Sequence, residues 1–454
     1  MIELMLAAPA SGSGKTVLTC ALLAALKKRG LAPCAFKCGP DYIDPMFHRT
    51  VLGVESHNLD LFLSDEDTVR RLYARYGSGR GAVVAEGAMG FYDGLGGTTH
   101  LASAWHVADT LGLPVLLVVR PKGASLTLAA QIRGLQSFRE NSHIAGILLN
   151  DCTPMLAKSL SPMLERETGL PVVGYLPHME EAVLESRHLG LCTAGEVQNL
   201  AQRIDAVAER LEQTVDWERL FALCKREDRP GAEPVSARPK VPIAVARDAA
   251  FCFTYEETLD ALHEAGGELL FFSPLEDARL PAGACGLYLP GGYPELYARR
   301  LSENEAMRRA VREAVARGMP TVAECGGFLY LGRTLQDADG TACPMAGALP
   351  GDAVRKERLV RFGYAELTAE GDSMLFRPGE HVPIHEFHYW DSSENGTDLT
   401  ATKPLTGRSW RCGFAHERLY AAFPHLYFAG RPELAERFVQ TAMLYETEKK
   451  EYEV

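Results

Sequence analysis

The chain contains no run approaching about 18 uninterrupted apolar residues, the least that a membrane-crossing helix needs. It also lacks a basic stripe: the formal net charge is −12 over 454 residues. A nucleic acid or an anionic membrane is therefore excluded as the main partner, although a local basic pocket can still receive a small anion. None of the eleven cysteines forms a CxxC pair. Cys34 and Cys38 have no second cluster at zinc-like spacing. Reduced, mostly buried thiols are expected. No basic leader precedes the first apolar run, and together these features predict a cytoplasmic protein. Internal repeats and low-complexity segments are absent too.

What is present is an α/β rhythm. An apolar run, Ile2–Pro9, meets a glycine-rich turn and then a stretch with helical spacing that ends at Gly30. Short, doubly apolar runs recur at Gly81–Gly87, Pro114–Arg120, Ile144–Asn150 and Pro171–Pro177. Continuous rather than alternating apolar strands suit a doubly wound parallel sheet covered on both faces. A proline- and charge-rich stretch then interrupts the pattern, and strand-like runs restart at PIAVARD, GELLFFSP, GLYLPGG and MPTVAECGG. The expected division is a first α/β domain over 1–223, a linker over 224–240, a second α/β domain over 241–437 and a charged tail over 438–454.

The segment APASGSGKT (Ala8–Thr16) has the chemistry of a phosphate cradle. Backbone N–H groups of Ser11, Gly12, Ser13 and Gly14 can converge at a helix N-terminus, Lys15 can reach the outer phosphates, and the Thr16 hydroxyl can ligate Mg²⁺. The position five before Gly14, a glycine in the common loop, is Pro9; the longer loop resembles that of dethiobiotin synthetase and its relatives. Glu86 closes an apolar strand, the edge where open α/β sheets bind ligands. Asp41 and Asp44 lie in FKCGPDYIDP. Thr16, Glu86 and Asp41 are candidate metal ligands, and Asp41, Asp44 and Glu86 candidates for acceptor orientation or proton transfer. A turn start at Asp44 and a helix cap at Glu86 are the alternatives. Asn150 could meet an adenine edge or close a turn. Lys37 and the Arg187-His188 pair could meet substrate carboxylates or simply be solvated.

In the second unit, AECGGFLYL has the layout of a nucleophile elbow, with Cys325 in a glycine turn between strand and helix. The helix start should lower the thiol pKa. Gly291 and Gly292 in YLPGGYPEL are oxyanion-hole candidates. A thiolate needs a base: His425 is preferred, with His385 and His388 of IHEFHYW as rivals.

Taken in order, FKCGPDYIDP, EGAMGFYDG, SRHLGL, DAAFCFTYEETLDAL, LPGGYPEL, AECGGFLYL and HEFHYW resemble the cobyrinate a,c-diamide synthase family of cobalamin-pathway amidotransferases over nearly the whole chain. The resemblance implies a P-loop NTPase domain followed by a class I glutamine amidotransferase-like domain. It implies ATP and Mg²⁺, phosphorylation of tetrapyrrole acetate carboxylates, and ammonia released from glutamine at Cys325 with help from His425. Class I relatives usually carry a glutamate two positions after the histidine; here Leu426 and Tyr427 follow, so the third triad member is expected to be missing. A basic residue is expected after Gly-Tyr in RFGYAEL, where Ala365 stands. Nickel-sirohydrochlorin and hydrogenobyrinate are alternative acceptors, and a partition-type P-loop ATPase switch is a remote alternative that leaves Cys325 idle. The partners implied are small molecules, and the sequence is compatible with a homodimer.

Overall fold

The computed structural model describes residues 1–182, 194–227 and 240–452. Arg187 and His188 lie outside them, as does most of the expected linker. Two compact units divide the chain, Met1–Glu233 and Pro234–Val454.

The first unit alternates strand and helix: β1 (Ile2–Ala7), α1 (Lys15–Lys28), β2 (Pro33–Cys38), α2 (Ile43–Leu52), β3 (Glu55–Leu59), α3 (Glu66–Gly77), β4 (Ala82–Glu86), α4 (Ala104–Leu111), β5 (Val115–Val119), α5 (Leu126–Ser137), β6 (Ile144–Asn150), α6 (Pro154–Thr168), β7 (Val172–Leu176), α7 (Ala194–Thr214) and α8 (Trp217–Cys224). Its seven strands run parallel in the order β3-β2-β4-β1-β5-β6-β7. Leu4, Leu6, Val84, Leu116 and Val118 pack on one face with Leu18, Leu22 and Leu26 of α1. Met5, Phe36, Val83 and Leu117 are fully buried as well. A parallel sheet without a solvated face explains why these strands read as unbroken apolar runs. Side-chain caps fix several helix starts; Asp65 accepts from the Thr68 N–H and Thr153 from the Leu156 N–H. The start of α1 has no such side-chain cap.

The second unit begins with β8 (Val241–Ala246), α9 (Glu256–Glu264), β9 (Gly267–Phe272), β10 (Gly286–Leu289), α10 (Ala298–Glu303), α11 (Glu305–Ala316), β11 (Thr321–Glu324) and α12 (Gly326–Leu331). There follow β12 (Thr334–Gln336), β13 (Ala342–Pro344), β14 (Asp352–Arg355), β15 (Arg361–Ala369), β16 (His381–His388), β17 (Trp390–Ser392), β18 (Leu399–Thr402), β19 (Ser409–Cys412), β20 (Phe414–His416), β21 (Leu419–Ala422) and α13 (Pro432–Tyr452). The main sheet has the order β20-β21-β11-β10-β8-β9, parallel except at the β20–β21 edge. Successive side chains enter opposite cores: Val241, Ile243, Val245, Tyr288 and Val322 on one side, Ala244, Ala246, Leu287, Leu289 and Ala323 on the other.

Two four-stranded sheets, β13-β12-β14-β17 and β16-β15-β18-β19, were not anticipated from the sequence. Ala365 is fully buried on β15 opposite Ile384, so the basic residue expected there would have to be buried in an apolar core. Helix α13 also runs through most of the stretch expected as a charged tail, because Phe438, Val439 and Ala442 are core residues.

Candidate active sites

The carboxyl ends of three adjacent strands, β1, β2 and β4, meet at one point in the first unit. Lys37 and Glu86 are in register across β2 and β4, and Leu6 and Glu86 across β1 and β4. The loop after β1 turns through Gly12 and Gly14, at φ +76° and +90°, conformations that favour glycine. Gly14 is the N-cap of α1 and delivers the helix amides without a side chain across them. Asn150 donates its amide to the Ser13 carbonyl at 2.8 Å. This contact fixes the glycine loop, a role distinct from the adenine contact and the turn considered for Asn150. Arg120, which the sequence did not single out, donates to the Gly12 carbonyl at 3.1 Å and pairs with Asp151.

Lys15 is buried and donates to the Met89 carbonyl in the loop after β4. Burial pushes its pKa down, opposed in part by Glu86. The Thr16 hydroxyl donates to Glu86 Oε1 at 2.7 Å and lies 3.5 Å from Asp44 Oδ2. Lys37 sits between the same two carboxylates, 2.7 Å from Glu86 Oε1 and in direct contact with Asp44. It is therefore a buried counter-ion, not the solvated cation considered from the sequence. Burial raises the Asp44 pKa, but the Lys37 ion pair overrides this and leaves it below the usual carboxylate range.

Asp41, which interacts electrostatically with Asp44 and Lys37, makes different hydrogen bonds. Its Oδ1 accepts the backbone N–H groups of Ile43 and Asp44, at 2.8 and 3.2 Å. Burial, with Asp44 beside it, pushes Asp41 up to about 6. The oxygen donors that gather around Thr16 are thus Asp44 and Glu86, whereas the Asp41 carboxylate caps the turn into α2. Among the described residues there is no cluster of three or more His, Cys, Asp or Glu able to hold a metal by itself. A hydroxyl and two carboxylates do suit Mg²⁺, which takes few protein ligands and completes its shell with phosphate and water. Glu86 Oε2 is buried without a hydrogen-bond partner, a spare oxygen in keeping with such a role.

In the second unit, Cys325 stands at the end of β11 with φ +46° and ψ −101°, as the N-cap of α12. Gly326 and Gly327 make this turn possible. A Cβ on Gly326 would lie 3.1 Å from the Gly292 nitrogen, and one on Gly327 would lie 2.0 Å from the Leu289 carbonyl oxygen. The expected lowering of the thiol pKa is reversed in the resting protein. Burial pushes the thiol well up, and the Glu295 and Glu386 carboxylates add to this, while a hydrogen bond from the Gly326 amide opposes it. A base is correspondingly more necessary.

His425 is buried, and a Cβ on Gly291 would come within 2.5 Å of its Cε1. The Gly291-Gly292 turn thus touches both the histidine ring and the nucleophile turn. His385 and His425 are joined through backbone hydrogen bonds, the His425 N–H donating to the His385 carbonyl at 2.9 Å. Burial, followed by the influence of His425, pushes His385 down to about 3. His388 is engaged elsewhere, with Nε2 2.8 Å from Glu386 and Nδ1 2.6 Å from the Trp390 carbonyl. The sequence missed a carboxylate near His425: Glu324 Oε2 lies 3.6 Å from His425 Nδ1. Glu324 directly precedes Cys325, whereas a triad carboxylate was sought after the histidine.

The first unit carries a glycine loop over a carboxylate cluster, and the second carries a cysteine turn packed on the glycine pair that touches a histidine. Residues 4–191 match the CobQ/CobB/MinD/ParA nucleotide binding domain, and residues 242–433 match the CobB/CobQ-like glutamine amidotransferase domain. The class so defined is a glutamine-dependent amidating ligase with a nucleotide-binding unit. A cobyrinate a,c-diamide synthase of Synechococcus sp. is 40% identical, the alignment covering 97% of this chain and 98% of that protein. Enzymes of the same name from Caldanaerobacter subterraneus (38% identical, 96% and 97% covered) and Salmonella typhimurium (39%, 96% and 97%) are similar over the same extent. The chain belongs to the cobyrinate a,c-diamide synthase family. A free-standing partition-type ATPase switch is ruled out by the amidotransferase domain. No helix among the described residues is long and apolar enough to cross a membrane.

Proposed function

We propose that the chain converts the a and c acetate carboxylates of cobyrinate to amides, using ATP, Mg²⁺ and glutamine. The observation that carries this reading is near-full-length similarity to enzymes of that name, spanning both units. A carboxylate oxygen attacks the γ-phosphorus of ATP and ADP leaves, giving an acyl phosphate. Ammonia attacks the acyl carbon, phosphate departs, and the new nitrogen loses a proton. The loop amides and Lys15 hold the phosphates. Mg²⁺, held by Thr16 with Glu86 and Asp44, would neutralise charge on the phosphoryl group. On leaving its resting contact with the Met89 carbonyl, Lys15 becomes available to that charge. Asp41, with its raised pKa, is suited to orienting the acceptor or taking a proton.

In the second unit His425 takes the Cys325 proton as sulfur attacks the glutamine carboxamide, and returns it to the departing ammonia. Water then cleaves the thioester to glutamate. The Gly291 and Gly292 amides support the oxyanion. The described cysteines are all free, which suits the reducing cytoplasm.

The test is mass spectrometry of cobyrinate incubated with protein, ATP, Mg²⁺ and either glutamine or ammonium, with nickel-sirohydrochlorin in parallel. Two acid-to-amide conversions on cobyrinate are expected. Cys325→Ala should lose the glutamine route and keep the ammonium route. Loss of both routes in that variant refutes the division of labour, and amidation of the nickel compound alone refutes the acceptor.

A further inference from the structure

The side chains around His425 supply what its sequence neighbourhood lacks. Glu324 is 1% exposed and His425 3%. A carboxylate so deeply buried needs a basic partner as well as neutral donors. Its Oε1 accepts the Leu426 N–H at 3.2 Å and its Oε2 accepts the Tyr288 hydroxyl at 3.2 Å. The basic group in reach is His425 Nδ1, 3.6 Å from the same Oε2. That gap is longer than a hydrogen bond and within the range that tightens when substrate binds. The Cε1 and Nε2 atoms of the ring lie nearest Gly291, whose neighbour Gly292 packs against the glycine that follows Cys325, while Nδ1 lies toward Glu324.

We propose that Glu324 is the positioning residue for His425, replacing the carboxylate that relatives carry two residues after the histidine. It holds the proton on Nδ1, which makes Nε2 the acceptor for the thiol proton, and it stabilises the imidazolium that forms. The proposal rests on the assignment of Cys325 and His425 made above. Among the described titratable side chains beside the ring are Glu324 on β11, with Tyr288 of β10 behind it, and His385 of β16; Glu295, Glu386 and Glu324 itself act on Cys325. Burial keeps His385 neutral, and the carboxylate beside Nδ1 is that of Glu324.

The experiment measures glutaminase kcat and KM against pH for the full chain carrying Glu324→Gln, Glu324→Asp or Tyr288→Phe. Glutamine at 324 can still accept the Leu426 N–H through its oxygen, but it replaces the oxygen facing Tyr288 and His425 Nδ1 by an NH2 donor, so it removes both the charge and the acceptor for the Nδ1 proton. It should lower kcat by on the order of 10²- to 10⁴-fold, with KM little changed. Its acidic limb should move to lower pH, because the imidazolium is no longer stabilised. Aspartate should recover part of the rate. Tyr288→Phe should move the limb the other way, since the hydroxyl no longer tempers the carboxylate. Wild-type kcat and an unmoved limb in Glu324→Gln overturn the proposal, as do equal losses in the Gln and Asp variants, which would assign Glu324 to packing. If Glu324→Gln does not fold, Tyr288→Phe decides alone, and an unmoved limb refutes. Glutaminase activity surviving Cys325→Ala overturns the underlying assignment and this proposal with it. A dead Cys325→Ala beside an unimpaired Glu324→Gln overturns this proposal alone.

Discussion

Replacing Lys37 by methionine tests whether the carboxylate cluster of the first unit is held together by its counter-ion. The Lys37 side chain is 7% exposed, Asp44 9% and Glu86 0%, so water screens these charges little. Removing one partner of a buried ion pair costs about 3–5 kcal/mol, because the remaining charge is left uncompensated. Protonation of Asp44 can relieve part of this, so the lower end, about 3 kcal/mol, is expected. For a unit of this size each kcal/mol moves Tm by about 2–4 °C, giving a fall of about 6–12 °C at neutral pH. The sign of the pH dependence follows from Asp44. Its folded-state pKa lies below the ordinary value, so its contribution is present above the unfolded pKa and lost as pH falls through the folded one. Without Lys37, burial acts unopposed, the carboxyl takes up its proton sooner, and the difference between variant and wild type shrinks on acidification. Calorimetry of the full chain from about pH 8 to about pH 3 measures both effects. A Tm within about 1 °C of wild type, or a gap that does not narrow toward acid, would falsify the counter-ion argument.

Two further substitutions probe the glycine turns. Gly291→Ala places a methyl 2.5 Å from the His425 ring; a forced shift of about 1 Å at a catalytic group should lower glutaminase kcat by about 10²-fold, and an unchanged kcat would separate this turn from the histidine. Gly14→Ala combines φ +90° with a Cβ only 2.1 Å from Asn150 Nδ2. Nucleotide affinity, read by equilibrium binding, should fall by at least about tenfold, and adding Asn150→Ala should return only the part due to the clash. Complete recovery would mean that backbone conformation at residue 14 does not matter.

Most of the strand framework was legible because its strands are buried on both faces. β1, β4–β7 and β8–β11 each contain an unbroken apolar run. β2 and β3 were not, because Lys37, Ser56, His57 and Asn58 are polar and yet buried; they belong to the site edge, where polarity replaces the core pattern. The two four-stranded sheets were hidden for a different reason. β12, β13 and β17 are three residues each, too short for a period to register, and the pairings of β14 with β17 and of β15 with β18 join residues more than thirty positions apart. In the site, strand ends pointed to Thr16, Glu86 and Cys325. The role of Lys37 depends on its register with Glu86, and that of Glu324 on the fold bringing His425 back over β11. Neither relation has a local signal.

The two turns use the same backbone device with different residues. Gly14 and Cys325 each follow a parallel strand, hold positive φ, and open a helix without a side-chain cap. In the first loop Asn150 approaches the backbone too closely for a Cβ at Gly14. In the elbow the proposed reagent is a side chain, which accounts for strain of about 1–3 kcal/mol at a non-glycine residue. This makes an ordinarily unfavourable substitution informative. Alanine at 325 retains the strained φ, whereas glycine relieves it. Glycine normally loses about 0.5–1 kcal/mol to alanine through chain entropy, and here the order should reverse. Cys325→Gly should melt above Cys325→Ala, with glutaminase activity absent from both. If the alanine variant is equally or more stable, the turn is not strained, and the elbow's conformation has to be explained by its packing against Leu289 and Gly292 alone.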